Sequence, residues 1–219
     1  MPIQVQGNGG TVAEVDGTTF RALRSAPRPV DHGALGQYRL ATTVPLVVTQ
    51  AANGTLFSFR WTDAAKLCVI QSIRLEVQQT AAATATIAPV FEVYTARSFS
   101  VSDSAGTALT LTGNSFKKRT TMATTAVGDV RKSAVAAGLT AGTRTLDGDA
   151  ILQLGTVQTI TNVNGTTYVK ELDMKNGNTH PLVLAQNEGF IVRGPTVVFG
   201  AAGTANLVVE VEWAEVTAY

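Results

Sequence analysis

Hydrophobic and polar residues alternate strictly along residues 56–79, LFSFRWTDAAKLCVIQSIRLEVQQ. Phe57, Phe59 and Trp61 fall on one side, with Ser58 and Arg60 opposite. After the polar break at 63–66, Val69, Ile73, Leu75 and Val77 share a side, opposite Ser72, Arg74, Glu76 and Gln78. Successive side chains of a strand point to opposite sheet faces, so this period of two predicts a pair of half-buried strands. The break itself, Asp63-Ala64-Ala65-Lys66, has the composition of a single helical turn.

The same period recurs downstream. Residues 38–50 open the regular region, with Leu46-Val47-Val48 after Pro45. A strand over 85–95 puts Ile87, Phe91 and Val93 on one face, and Pro89 marks an edge or bulge. Residues 101–114 read as a weak hairpin in which Leu109 and Leu111 alternate with threonines. Further strands are expected at 150–154, at 166–172 with Tyr168 and Leu172 bracketing Lys170, at 181–184 and at 189–193, and a hairpin at 196–204. The last strand, 206–216, is the cleanest: Leu207, Val209, Val211 and Trp213 face one way, Glu210 and Glu212 the other. No helix of ten residues is predicted, and turns such as Asn53-Gly54 and Asn164-Gly165 punctuate the strands. Many short strands of this kind specify an all-β fold, a single jelly-roll-like β-sandwich.

Two tracts break the pattern. Residues 1–36 carry Gly7-Asn8-Gly9-Gly10, the proline-stiffened run Arg24 to Pro29, and a further glycine joint at Gly33 and Gly36. They are expected to form an extended N-terminal arm, gripped by a neighbouring subunit rather than laid on the sandwich of residues 37–219. Residues 113–149 form a long irregular loop insertion, and a tract of that length inside a compact domain commonly marks an interaction surface.

Composition sharpens this. Charged residues make up 15% of the 219, against about 25% in ordinary soluble domains. Roughly one residue in seven is threonine, a strand former tolerated on wet faces. Hydroxyls and covered subunit interfaces together account for so few charges. A net charge of +1 argues against nucleic-acid binding as the main activity. The single Cys68 excludes a disulfide framework and a cysteine-based zinc site and is expected to be a buried, inert thiol. No stretch approaches the roughly 18 uninterrupted apolar residues of a membrane helix. The opening MPIQVQGNGG lacks the charged and apolar regions of a secretory signal, so cytoplasmic synthesis is expected.

Catalytic and ligand motifs are sparse. His32 and His180 each lack a second histidine or an HExxH pattern, so no metal or cofactor is expected. Asp147-Gly148-Asp149 lacks the graded oxygen ladder of a calcium loop and reads as a turn. Gly7–Gly10 is not followed by the Lys-Ser/Thr of a phosphate loop. A glycosidase pair would come from Glu76, Glu92, Glu210 and Glu212, all on polar strand faces where solvated carboxylates belong. Asn53-Gly-Thr55 and Asn164-Gly-Thr166 match glycosylation acceptors but read better as hairpin turns. No enzymatic activity is expected. The surface candidates are basic: Arg21, Arg24 and Arg28 in the arm, and Lys117, Lys118 and Arg119 in the loop tract, either solvated or docked on an acidic partner.

The segments QVQGNGGTVAEVDGTTFRALR, RPVDHGALGQYRLA, LFSFRWTDAAKLCVIQSIRL, NEGFIVRGP and VEVEWAE resemble virion structural proteins of tailed bacteriophages. The resemblance spans the arm, the central strand pair and the C-terminal strands, and is weak over 100–150. It implies a capsid decoration or cement protein in the virion, a homo-oligomer with a trimer favoured, whose partners are the major capsid protein or other virion subunits. The alternatives are a tail or fibre-anchoring adaptor and a carbohydrate-binding β-domain. No specific nucleic acid and no membrane is expected as a partner.

Overall fold

The computed structural model describes residues 36–46, 51–134, 138–160, 167–174, 180–194 and 203–217, with the backbone of four short strands before them. The chain divides into two units, residues 1–31 and 32–219. In the first, β1 (Val5–Gln6) pairs with β2 (Val12–Ala13), and β3 (Val15–Asp16) pairs with β4 (Ala22–Leu23), both antiparallel. These short ladders lie within the stretch read from sequence as an extended arm.

The second unit is built from β5 (Gln37–Leu46), β6 (Thr55–Arg60), β7 (Leu67–Ala81), β8 (Val90–Phe99), β9 (Thr107–Ala108), β10 (Asp129–Lys132), β11 (Arg144–Leu146), β12 (Leu152–Gly155), β13 (Thr167–Asp173), β14 (Leu182–Leu184), β15 (Gly189–Arg193) and β16 (Thr204–Val216). One sheet runs β11-β8-β15-β6-β10-β9, with β12 also on β8. The other runs β13-β7-β16-β5, with β14 also on β7. Taken as single interrupted strands, β11/β12 and β13/β14 complete eight positions: β5, β6, β7, β8, β11/β12, β13/β14, β15 and β16. They pair first with eighth, second with seventh, third with sixth and fourth with fifth. That nesting is a jelly roll. The short β9 and β10 extend the first sheet beyond β6.

Alternation builds the core as the sequence requires. Phe57, Phe59, Trp61, Ile73, Leu75, Val77, Leu207, Val209, Val211 and Trp213 all lie in one buried cluster shared by the two sheets. Trp213 of one sheet meets Phe59 of the other edge to face at 5.5 Å, Phe59 stacks on Phe190 at 5.2 Å, and Tyr38 stacks on Trp213 at 5.6 Å. Cys68 is buried and unpaired in the same cluster.

Four local expectations change. Val69 does not share a face with Ile73, Leu75 and Val77. Ser72 lies opposite Glu212 while Ile70 lies opposite Trp213, so Gln71 is an extra residue on β7. This β-bulge reverses the parity of the strand below it. Cys68 and Ile70 therefore enter the main core, and Val69 joins Ala214 and Val216 in a separate cluster. The break at 63–66 is a bend with no helical turn, closed by the Asp63 carboxylate, which accepts from the Ala65 and Lys66 amides at 2.7 and 2.9 Å. Such bonds close an Asx turn, and no helix follows it. Residues 101–114 do not fold on themselves: β9 pairs with β10, and Leu109 N–H donates to Val130 O at 2.8 Å. The 85–95 stretch becomes a strand only from Val90, with Ile87 bridging Gln158. Among the described residues of the 113–149 tract, a 3-10 turn at Asn114–Phe116 and the short β10 and β11 punctuate otherwise irregular chain. The expected hairpin at 196–204 and the turns at 162–165 and 175–178 lie outside the described residues but for Gly203 and Thr204.

Candidate functional site

The alternation of β16 continues one step past Trp213 and turns Glu215 into the end of the sandwich, where its side chain is fully buried. Its carboxylate is satisfied by three donors. Thr125 Oγ1–H and Ala126 N–H donate to Oε1 at 2.6 and 2.7 Å, and Lys66 Nζ donates to Oε2 at 3.3 Å. Two of these donors belong to the loop tract, so the carboxylate pins it to the base of the fold.

Other bonds along the tract act the same way. Lys118 N–H donates to Gln37 O at 3.0 Å, Lys117 bridges Tyr38, Tyr38 OH donates to Ala123 O at 3.0 Å, and Trp213 Nε1–H donates to Thr125 Oγ1 at 3.3 Å. Phe116, Ala126 and Val127 pack on the core. The segment from 114 to 127 is thus a clamped strap along the edge of β5 and beneath the sheets.

Burial, and secondarily the Glu215 carboxylate, push the Tyr38 phenol up to about 12. The same two causes push the Cys68 thiol well up, which keeps it a neutral thiol. Because an unfolded tyrosine ionises near 10, the unfolded chain releases this proton first. Stability is therefore unaffected below that value and falls as pH rises from about 10 towards 12. Thermal melts across this window should show the decline, and Tyr38→Phe should flatten it while costing about 1 kcal/mol at neutral pH for the bond to Ala123. Equal slopes in the two proteins would remove Tyr38 as the cause.

Of the basic residues singled out in sequence, Lys118 is taken up by Glu212 at 2.7 Å. Lys117 contributes backbone to the strap, and Arg119 is exposed beside it. Arg21, Arg24 and Arg28 lie outside the described residues, as does His32. His180 is exposed, its Nδ1 2.7 Å from Pro181 O.

The carboxylates weighed as a hydrolytic pair are each bonded to a cation. Arg74 holds Glu210 at 2.8 Å and Glu76 at 2.6 Å. Glu92 is bonded by Arg193, Tyr94 and Gln153. Burial works to raise the Glu92 carboxyl, but these bonds outweigh it and hold it below the usual carboxylate range. Asp147 receives the Arg97 guanidinium through both oxygens, at 2.9 to 3.1 Å from Nε, and Asp103 is buried against Arg144. Arg60 binds Ser102 and Asn187. Among the described residues, no three His, Cys, Asp or Glu side chains converge as a metal site would require.

Among the described residues, depressions open on two faces. A groove of about 470 Å³ crosses the outer face of the β13-β7-β16-β5 sheet, floored by Arg39, Ser72, Arg74, Glu171, Glu210 and Glu212 and walled by Ser115 and Phe116. A cleft of about 520 Å³ lies between the sheets at their other edge, between Ile151 and the apolar side chains Leu172, Met174, Pro181 and Leu182. Every described Phe, Tyr and Trp is buried or half-buried, so none forms an exposed stacking platform.

Glu215 is the residue that sequence reasoning passed over. The signal was present: it is next in the odd-numbered series Leu207, Val209, Val211, Trp213.

No family model and no curated protein matches the chain. Among solved structures, the chain was aligned with "Structure of infectious bursal disease virus Gx strain" at 13% identity, over 83% of this chain and 37% of that one, with a TM-score of 0.11. A score of that size carries no argument about fold or role.

Proposed function

We propose that this chain is a structural subunit of a tailed-phage virion, a decoration protein that bridges and reinforces capsid subunits. The observation carrying this reading is the employment of its charges. The ionisable side chains at Lys66, Glu92, Asp103, Arg144, Arg193 and Glu215 tie strands and loops of the jelly roll together, and the long strap is fastened to the base instead of framing a reaction site. A scaffold so cross-tied suits a load-bearing role, and the phage-like segments of the sequence supply the assembly. The fold alone would not, since jelly rolls host many functions.

Particles lacking this chain are expected to lose contents at lower temperature and lower salt than complete ones, with hundreds of copies per complete particle. Wild-type resistance in its absence would overturn reinforcement. Six or twelve copies would move the chain to the tail, as an adaptor. The described aromatic side chains, drawn into the core, give a sugar-binding reading no support.

A further inference from the structure

Most sheet edges of the second unit are blunted. On β5, Pro45 lacks an N–H, Lys132 Nζ caps Thr43 O at 3.0 Å, and the strap occupies Gln37 and Tyr38. β9 has two residues, β14 three, and the β11/β12 edge is interrupted between 146 and 152. Short, capped or broken strands are how soluble proteins avoid pairing at their edges.

β13 is different. It runs seven residues in unbroken register with β7, and no described strand is hydrogen-bonded to its outer edge, although β12 of the facing sheet passes close to it. Val169 at its middle is 46% exposed, with Thr167, Lys170 and Glu171 also exposed. Met174 N–H donates to Gln71 O. The even-numbered residues therefore bond β7, and the N–H and C=O groups of Thr167, Val169 and Glu171 point away from it.

We infer that β13 is the contact of a twofold homodimer, pairing antiparallel with β13 of a second copy about an axis through Val169. Charge favours this register over the two displaced towards the C-terminal end of the strand. With the axis at Val169, Val169 meets its own copy, Thr167 meets Glu171, and Tyr168 meets Lys170 on the opposite face. The ammonium lies against the aromatic ring, a favourable cross-strand pair that occurs twice. Moving the axis to Lys170 sets two ammonium groups opposite each other, and moving it to Glu171 does the same with two carboxylates, both destabilising. Thr167, Val169 and Glu171 then exchange main-chain bonds with the partner strand, continuing the sheet across the dimer. The contact is isologous, so a trimer would need a different surface. It stands independently of the virion role.

The test uses the full chain. Val169→Cys should form a covalent dimer on mild oxidation, because residues directly opposite in a bonded pair sit about 5.5 Å apart at Cα, within disulfide range. Val101→Cys, at a 55% exposed site outside the strands and not on β13, should not, and buried Cys68 should leave wild type uncrosslinked. In sedimentation velocity, wild type should dimerise with concentration and Val169→Lys should weaken the dimer roughly tenfold or more. Unchanged thermal melts would show each variant folded. Cross-linking of Val169→Cys no faster than of Val101→Cys overturns the proposal. So does wild type that stays monomeric at millimolar concentration, or association that Val169→Lys leaves unaltered.

Discussion

Replacing Glu215 by alanine is expected to destabilise the protein by about 3–5 kcal/mol, the range for removing one partner of a buried charge network. For a chain of this length that is a fall in melting temperature of roughly 10 °C. The loss has distinct parts. Thr125 hydroxyl and Ala126 amide lose their acceptor beneath the sheets, and each buried donor left unpaired costs about 1–3 kcal/mol. Lys66 loses its counter-charge, but its side chain is 26% exposed and water compensates most of that. Glu215→Gln separates the parts, since its amide oxygen still accepts from Thr125 and Ala126, and it should cost no more than about 1–2 kcal/mol. Denaturant titration measures both. Hydrogen exchange at Ala126 adds a local readout, because the alanine variant should free the strap before the sheets open. A variant melting within a degree or two of wild type would mean that the strap is held by Tyr38, Trp213 and Lys118 instead.

Where alternation ran without interruption, the sequence was sufficient. β15 occupies the expected 189–193, and β16 buries Leu207, Val209, Val211 and Trp213 while Glu210 and Glu212 stay outward. Both are central strands, and burial on one face fixes their register. Alternation cannot reveal an inserted residue, so the sequence period places Val69 on the wrong face. Nor can it reveal partners distant in sequence. β9 is too short for a period, and its pairing with β10 depends on the intervening chain passing under the sandwich. Lys118 reads from sequence as solvated or docked on an acidic partner because nothing near it in sequence is acidic, and its carboxylate, Glu212, arrives from the last strand. Asp63 is the opposite case. Its turn is local, held by an Asp that accepts from the amides two and three residues on, a pattern that closes an Asx turn and starts a helix equally well, so the sequence alone does not choose between them.

Deleting Gln71 should be the most damaging single-residue change to the sheets. The bulge lets a strand with two inward parities serve one core: Cys68 and Ile70 point inward below it, Ile73, Leu75 and Val77 above it. Without the extra residue the ladder must run in continuous register, and a one-residue slip turns every side chain of the shifted segment to the other face. If the lower half shifts, Cys68 and Ile70 leave the core and Leu67 and Val69 enter it. If the upper half shifts, three aliphatic side chains are exposed. Each fully buried side chain of this kind contributes about 1.5–3 kcal/mol, so the cheaper route costs about 5 kcal/mol, comparable with the whole stability of many domains. The deletion also removes the carbonyl that receives Met174 N–H, at the point where the edge strand divides into β13 and β14. Gln71→Ala keeps the bulge and the carbonyl and removes only a half-exposed side chain, so it should change stability by no more than about 0.5 kcal/mol. Near-ultraviolet circular dichroism and denaturant titration distinguish the two. The deletion should lose the aromatic signal of the Phe59, Phe190 and Trp213 cluster, and a deletion variant that kept this signal and wild-type stability would show that the two halves of β7 are not bound to opposite parities.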